Sequence, residues 1–206
     1  VAVAVAEQMV DYLLNGTVKN AVNAPSVSGE VLTQLRPFLT LAEALGGFQS
    51  QIAEGPIDSV NIEYIGEISK LDTTPLLHSI MKGLLYPMMR DEVNYVNAPA
   101  MAKDRGIHLT ETKVESAEDF TTQLRLTVRS GKSENLLAGT VFGRYEPRLV
   151  RINAFRLEAV PQSHMLFIYN TDRPGVIAAI GTTIGKHEIN IARMTVGQEK
   201  DRGQNI

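Results

Sequence analysis

Apolar side chains recur three or four residues apart over positions 3–15, where Val3, Ala6, Val10, Leu13 and Leu14 fall close to one helical face, and Gly16 is a fitting stop. Residues 20–25 read as an extended linker, because the residue before Pro25 avoids helix. A second helix is predicted from Pro37 to Ala53, with Phe38, Leu41, Leu45, Phe48 and Ile52 on one face and Gly55-Pro56 beyond its end. Gly46-Gly47 weakens it, by about 1 kcal/mol per glycine against alanine. From Val60 to Ile68 the period drops to two: Val60, Ile62, Tyr64 and Gly66 alternate with Asn61, Glu63, Ile65 and Glu67, as in a half-buried strand. Helical spacing returns from Thr74 to Met89, with Asp72 or Thr73 as cap and Pro75 in the first turn. A short helix from Ala98 to Arg105 ends at Gly106. Strands are predicted at Ile107–Val114, Phe120–Arg129, Leu136–Phe142 and Leu149–Ile152, with one more short strand at Phe155–Leu157. Ser130 to Ser133 and Glu146-Pro147 are the turns between them.

The last part reads strand, helix, strand: Met165–Tyr169, Pro174–His187, Asn190–Val196. Such a crossover favours a parallel, right-handed pair, covered by Val176, Ile177, Ile180 and Ile184 of the helix. The turn Asp172-Arg173-Pro174-Gly175 joins the strand to the helix. Asp172 can cap, Pro174 suits a first helical turn, and Gly175 admits a close neighbour. Free N–H groups there, helped by the helix dipole, attract an anion such as a small carboxylate. The fold class is therefore α/β (α+β): a mixed-sheet middle domain, then a second α/β unit that the chain end cuts short.

Composition narrows the function classes. The 206 residues are 44% hydrophobic and 21% charged, as in an ordinary globular protein with a real core. The net charge is −3 and the basic residues are scattered, which gives no electrostatic case for nucleic acid. With no Cys, disulfides, thiolate metal sites and a Cys nucleophile are excluded. No apolar run approaches the roughly 20 residues that cross a bilayer, so no membrane partner is expected and the expected location is cytoplasmic. The Asn15-Gly16-Thr17 sequon is then an accident of sequence. Val1 opens inside a helical pattern without an initiator Met, and Ile206 follows a polar turn, so a piece of a longer protein is expected. Residues 197–205 are polar enough to be mobile.

The stretch from Leu166 to Val176, followed by Gly185-Lys-His-Glu-Ile-Asn-Ile191, resembles the ACT domain, a small amino-acid-binding regulatory module of pattern βαββαβ. The match ends after the first βαβ. Ala4 to Gln8 and Asn20-Ala-Val-Asn-Ala-Pro25 resemble the end of the catalytic part of the D-3-phosphoglycerate dehydrogenase family. Gly55-Pro56, the strand after it and Arg151-Ile-Asn153 resemble that family's intervening allosteric domain. The resemblance implies three units: residues 1–28 as helix and linker of a catalytic part, 29–160 as an allosteric substrate-binding-like domain, and 163–206 as a partial, ferredoxin-like ACT domain. It also implies a regulatory region of an NAD-dependent dehydrogenase at the first step of L-serine synthesis. NAD and every catalytic residue would then lie before Val1; no G-x-G-x-x-G occurs here. The β chain of an iron–sulfur L-serine dehydratase and a stand-alone amino-acid-binding module are the alternatives.

The same resemblance implies that L-serine or a related effector is held between two chains, so a homo-oligomer is expected. The matching positions are Asn170, Asp172, Gly175, Val176 and Asn190. Asp172 would accept from the ligand ammonium, Asn190 would meet its carboxylate or hydroxyl, and N–H groups near Gly175 and Val176 would cradle the carboxylate. The competing reading makes Asp172 only a cap and Asn190 only a turn residue. Arg148 and Arg151, within the stretch Arg144, Arg148, Arg151 and Arg156, are a possible anion site, because guanidinium binds phosphate bidentately. Three apart on a strand, they point to opposite faces and need a bend to meet, which favours a solvated surface with Glu146 and Glu158. No two of the four His share metal-ligand spacing, and Glu63 and Glu67 fall on one solvated strand face, so neither a metal site nor paired acid–base catalysis is expected.

Overall fold

Alternation along the central strands sets the architecture. In a computed structural model, which describes residues 2–15, 29–116, 119–162, 164–197 and 203–206, Val60, Ile62 and Tyr64 are wholly buried while Asn61 and Glu63 between them stay half-exposed. They belong to β1 (Ile57–Gly66), the hub of a six-stranded mixed sheet. Its other strands are β2 (His108–Val114), β3 (Thr122–Ser130), β4 (Ser133–Phe142), β5 (Glu146–Ile152) and β6 (Phe155–Ala159), in the order β2-β1-β3-β4-β5-β6. Only β2 runs parallel to its neighbour. A parallel neighbour needs a crossover, which α3 (Thr74–Met89) and α4 (Ala98–Asp104) supply. Helices α2 (Gly29–Ile52) and α3 cover one face, burying Leu41, Leu45, Ile80 and Leu84 against Leu124, Leu126 and Leu137. The N-terminal helix α1 (Ala2–Asn15) leaves Val3, Met9, Val10 and Leu13 exposed. The linker expected at 20–25 lies outside the described residues.

Helix α3 matches its predicted bounds, and the Asp72 carboxylate accepts the Thr74 N–H at 3.0 Å. The Thr74 hydroxyl first, then this backbone hydrogen bond, hold the Asp72 pKa below the usual carboxylate value. Helix α2 corrects the prediction: it starts at Gly29, and Pro37 lies inside it. An internal proline costs about 3 kcal/mol, but the preceding turn carries Leu35, wholly buried, and Pro37 itself is buried. Strand β1 stops at Gly66, whose φ of 78° leads into a 3₁₀ turn, so Ile68 reaches the core from a turn. Glu63 and Glu67 therefore do not share a strand: Glu63 pairs with Arg125 at 3.2 Å and Glu67 with Lys70 at 3.0 Å.

Glu146-Pro147 is not a turn. It begins β5, and the chain reverses at residues 143–145, where Gly143 supplies a φ of 59°. Between β5 and β6 the reversal sits on Asn153, with φ 50°. Its side chain substitutes for a strand: Oδ1 accepts the Leu136 N–H at 2.7 Å, and Nδ2 donates to Asn135 Oδ1 at 3.1 Å.

The C-terminal unit departs furthest from expectation. Residues 165–169 and 190–196 form no ladder; β7 (Asn170–Thr171) instead pairs antiparallel with β8 (Gln204–Asn205). Helix α5 (Val176–Lys186) buries none of its residues, and Ile177 is 55% exposed. Two strands with one helix cover too little apolar surface to hold a ladder. The segment instead docks on the sheet domain through ring contacts and closes on itself through a bonded pair. Phe167 meets Phe48 edge-to-face at 5.0 Å, Tyr169 lies 5.7 Å from Phe155, and Gly197 and Ile206 exchange bonds of 2.8 and 2.9 Å. Residues 203–205, part of the stretch expected to be mobile, are thus tied down with Ile206; 198–202 lie outside the described residues.

Candidate functional site

The turn ahead of α5 starts where β7 ends. The Asp172 N–H donates to the Gly203 carbonyl at 2.9 Å, which fixes the turn to the C-terminal strand. Pro174 and Gly175 form the turn itself, and Gly175, at φ 89°, is the helix cap. The helix thus starts two residues later than Pro174, and Asp172 sits three residues ahead of the Gly175 cap rather than at it. Val176 N–H makes a long turn bond of 3.4 Å to Arg173, and Ala179 N–H closes the first helical ring on Gly175. The N–H groups before Ala179 are those a helix leaves without helical partners, at the positive end of its dipole. Thr171 to Gly175 are exposed, and Asn170 donates through Nδ2 to the Ile168 carbonyl at 3.2 Å. The structure brings Asn170, Asp172, Gly175 and Val176 into one turn. Asn190 is not with them: it is exposed beyond the far end of an 11-residue helix, about 16 Å long.

The arginines are arranged by a β-bulge. Thr140 pairs with Arg148 and Ala138 with Arg151, so the extra residue, Val150, resets the alternation. Arg148 and Arg151, expected on opposite faces, therefore share the face turned away from the helices. Arg125, opposite Ala138 on its other side, joins the same row, and Glu63 continues it. Arg148, Arg151 and Arg156 are each engaged. Arg148 contacts Glu146 at 2.6 Å and lies 5.6 Å over the Phe142 ring; Arg151 donates to the Asn153 carbonyl at 2.7 Å; Arg156 pairs with Asp119 at 3.3 Å. Arg125 Nε is buried with no partner. Beside Phe142 opens a cleft of about 900 Å³ walled by Phe38, Phe120, Thr140, Arg144 and Tyr145. The one-dimensional pattern did not single out Arg125, which reaches this face only through the register of β3 against β4.

A family model described as the D-3-phosphoglycerate dehydrogenase intervening domain matches residues 34–153, which span the whole sheet up to the Asn153 turn. The chain belongs to that family. An ACT domain model matches residues 164–206, so the intervening domain is followed by ACT sequence. The chain is 39% identical to D-3-phosphoglycerate dehydrogenase of Synechocystis sp. over 100% of its length and 37% of the relative's. For the Archaeoglobus fulgidus protein of the same name the identity is 37%, covering 98% of this chain and 38% of the relative. For that of Bacillus subtilis it is 31%, covering 100% and 39%. The chain thus spans under two-fifths of these relatives' length.

Within the intervening domain, a second polar cluster sits on the helix layer. Lys82 on α3 bonds Glu43 on α2 at 2.7 Å and lies 4.1 Å over the Tyr95 ring, and Tyr95 OH donates to the same carboxylate. Burial and the Glu43 bond raise the Tyr95 pKa. Burial alone would lower that of Lys82, but its bonds to Glu43 and Tyr95 outweigh it and raise it. Tyr64, wholly buried, donates to Glu111 at 2.8 Å; burial first, then the Glu111 charge, push its pKa far above 10.0. These groups join elements. Glu43 and Tyr95 also line an open cleft of about 370 Å³ with Arg36, Leu39 and Thr40, and among the described residues no three His, Cys, Asp or Glu are grouped to hold a metal.

Proposed function

We propose that this chain is the regulatory region of an NAD-dependent D-3-phosphoglycerate dehydrogenase, the enzyme of the first step of L-serine synthesis, and that it senses L-serine or an anionic effector. The supporting observation is the order of the two matched families: the intervening domain, then ACT sequence whose helix-start turn is pinned to β8. Asp172 is the acceptor for the effector ammonium, and the N–H groups at the start of α5 receive its carboxylate. Asn190, a helix length away, completes the site only from a second chain, which makes the working unit a homo-oligomer. Arg148 and Arg151 offer a further anion seat once Glu146 is displaced. Binding would shift the balance between two arrangements of the whole protein, so activity changes without contact to the reacting atoms. The Phe167–Phe48 contact is one route from the turn to the sheet domain.

NAD belongs to the rest of that enzyme, not to these residues: no G-x-G-x-x-G turn occurs here, and the sheet is largely antiparallel. The protein works in the cytoplasm; among the described residues no helix is long and apolar enough to cross a membrane. Calorimetric titration with L-serine tests the sensing role. Saturable heat at millimolar serine that Asp172→Ala abolishes is the expected result, and no heat at that concentration overturns it.

A further inference from the structure

The two edges of the sheet are unlike. Along β6 the chain's own C-terminal residues close in: Thr195 Oγ1 donates to the Glu158 carbonyl at 3.3 Å, and Gly197 is buried against the Arg156 carbonyl and Leu157. Along β2 every residue from His108 to Lys113 is exposed. This strand keeps unbroken register with β1 from Ser59↔His108 to Ile65↔Val114, with no bulge to twist it away and no proline to blunt it. Its outer N–H and C=O groups form a straight template of the kind that recruits another strand. Thr110, Thr112 and Val114 are the β-branched residues such pairing favours.

We propose that β2 pairs antiparallel with β2 of a second copy, about a two-fold axis through Thr112, joining two six-stranded sheets into one. Two identical adjacent strands related by a two-fold axis normal to the sheet place each residue opposite one on the same face. An axis at Thr112 sets Glu111 opposite the second copy's Lys113, and Lys113 opposite its Glu111. Thr112 then meets Thr112, and Thr110 meets Val114. An axis at Glu111 would oppose two carboxylates, and one at Thr110 would set Glu111 against Leu109. Charge complementarity therefore selects one register. Both charged groups are already held along the edge: Glu111 accepts from Tyr64 OH at 2.8 Å, and Lys113 donates to the Leu71 carbonyl at 2.9 Å. Each keeps spare capacity, a second carboxylate oxygen and two ammonium N–H groups. This interface stands apart from the effector turn and does not rest on the regulatory reading.

The test uses the 206-residue chain. Sedimentation over a concentration series is expected to show a monomer–dimer equilibrium. Glu111→Lys and Lys113→Glu, each checked for native circular dichroism, should weaken the dimer by on the order of tenfold, since each turns two attractive cross-strand pairs repulsive. Mixing the two variants should restore it, because unlike charges again face each other. The chain has no Cys, so Thr112→Cys adds a single thiol on the axis. Cross-strand Cβ atoms about 4.5–5.5 Å apart are close enough for a disulfide after a small shift. Mild oxidation should give a covalent dimer with Thr112→Cys and none with Tyr145→Cys, a site 70% exposed elsewhere. A chain monomeric throughout overturns the proposal. So does a dimer that both charge variants leave intact and that Thr112→Cys fails to cross-link.

Discussion

Gly46 and Gly47 are neighbours in one helix, yet alanine should act on them with opposite sign. A Cβ on Gly46 would stand 2.2 Å from the Ile80 carbonyl oxygen and 2.8 Å from the Leu84 nitrogen. The crossing is reciprocal: a Cβ on Gly83 would stand 2.1 Å from the Glu43 carbonyl oxygen. These are backbone atoms of the facing helix, so no side chain can swing aside. To reach van der Waals distance α2 and α3 must part by about 1 Å, which strains the packing of Leu45, Ile80 and Leu84 between them. Over-packing a filled site costs about 1–3 kcal/mol, and a whole helix pair moves here, so the upper end applies. Alanine's helix propensity offsets about 1 kcal/mol, which leaves Gly46→Ala about 2 kcal/mol less stable. For a chain of this size the melting temperature falls by about 4–8 °C. Gly47 has only the Gly83 carbonyl oxygen at 3.7 Å, an ordinary contact. Gly47→Ala should therefore gain about 0.5–1 kcal/mol, through propensity and a less flexible unfolded chain. Urea unfolding followed by circular dichroism, with unchanged slope, measures both. A Gly46→Ala midpoint at or above wild type would refute the close crossing.

Two further predictions rest on three titrating side chains and on Asn153. Tyr64, Tyr95 and Lys82 all titrate higher folded than unfolded, so the folded state keeps protons that the unfolded state releases. Their stabilisation is whole below about pH 10 and declines above it, by up to about 1.4 kcal/mol per pH unit for Tyr64; urea midpoints between pH 9 and 11.5 should fall, and Tyr64→Phe should flatten the decline. Asn153→Ala should lose about 1–3 kcal/mol, from the left-handed backbone and the bond to Leu136; Asn153→Gly should recover the backbone part in the same denaturation assay.

Regular periods were legible. Helix α3 repeats apolar residues over four turns between Asp72-Pro75 and Met89, and its bounds follow from that pattern alone. Strands β1 and β3 show which side is buried, because polar residues alternate with Val, Ile, Tyr and Leu. The turn at residues 172–175 was visible as well, since Asp, Pro and Gly each have a local backbone preference. The start of α2 was not. Pro37 looks like a first turn, and only the burial of Leu35 shows what carries the helix through it. The ladder expected at 165–169 failed for a related reason: a strand needs a partner and a covered face, and neither is written in its own five residues.

The amino-acid order by itself determined the mixed α/β class, the apolar sides of the helices and strands, and the family resemblance, because each depends on neighbours along the chain. Tertiary structure decided the rest. It placed Arg148 and Arg151 on one face, since parity after a bulge depends on the register of β5 against β4. It made Gly46 a contact where the sequence showed only a weak helix position, since the Ile80 carbonyl comes from an element more than thirty residues away. It set Asn190 a helix length from Asp172 within one chain, because a helix between two residues fixes their distance. Periodicity says which side of an element is apolar; only the packing of distant elements says what that side meets.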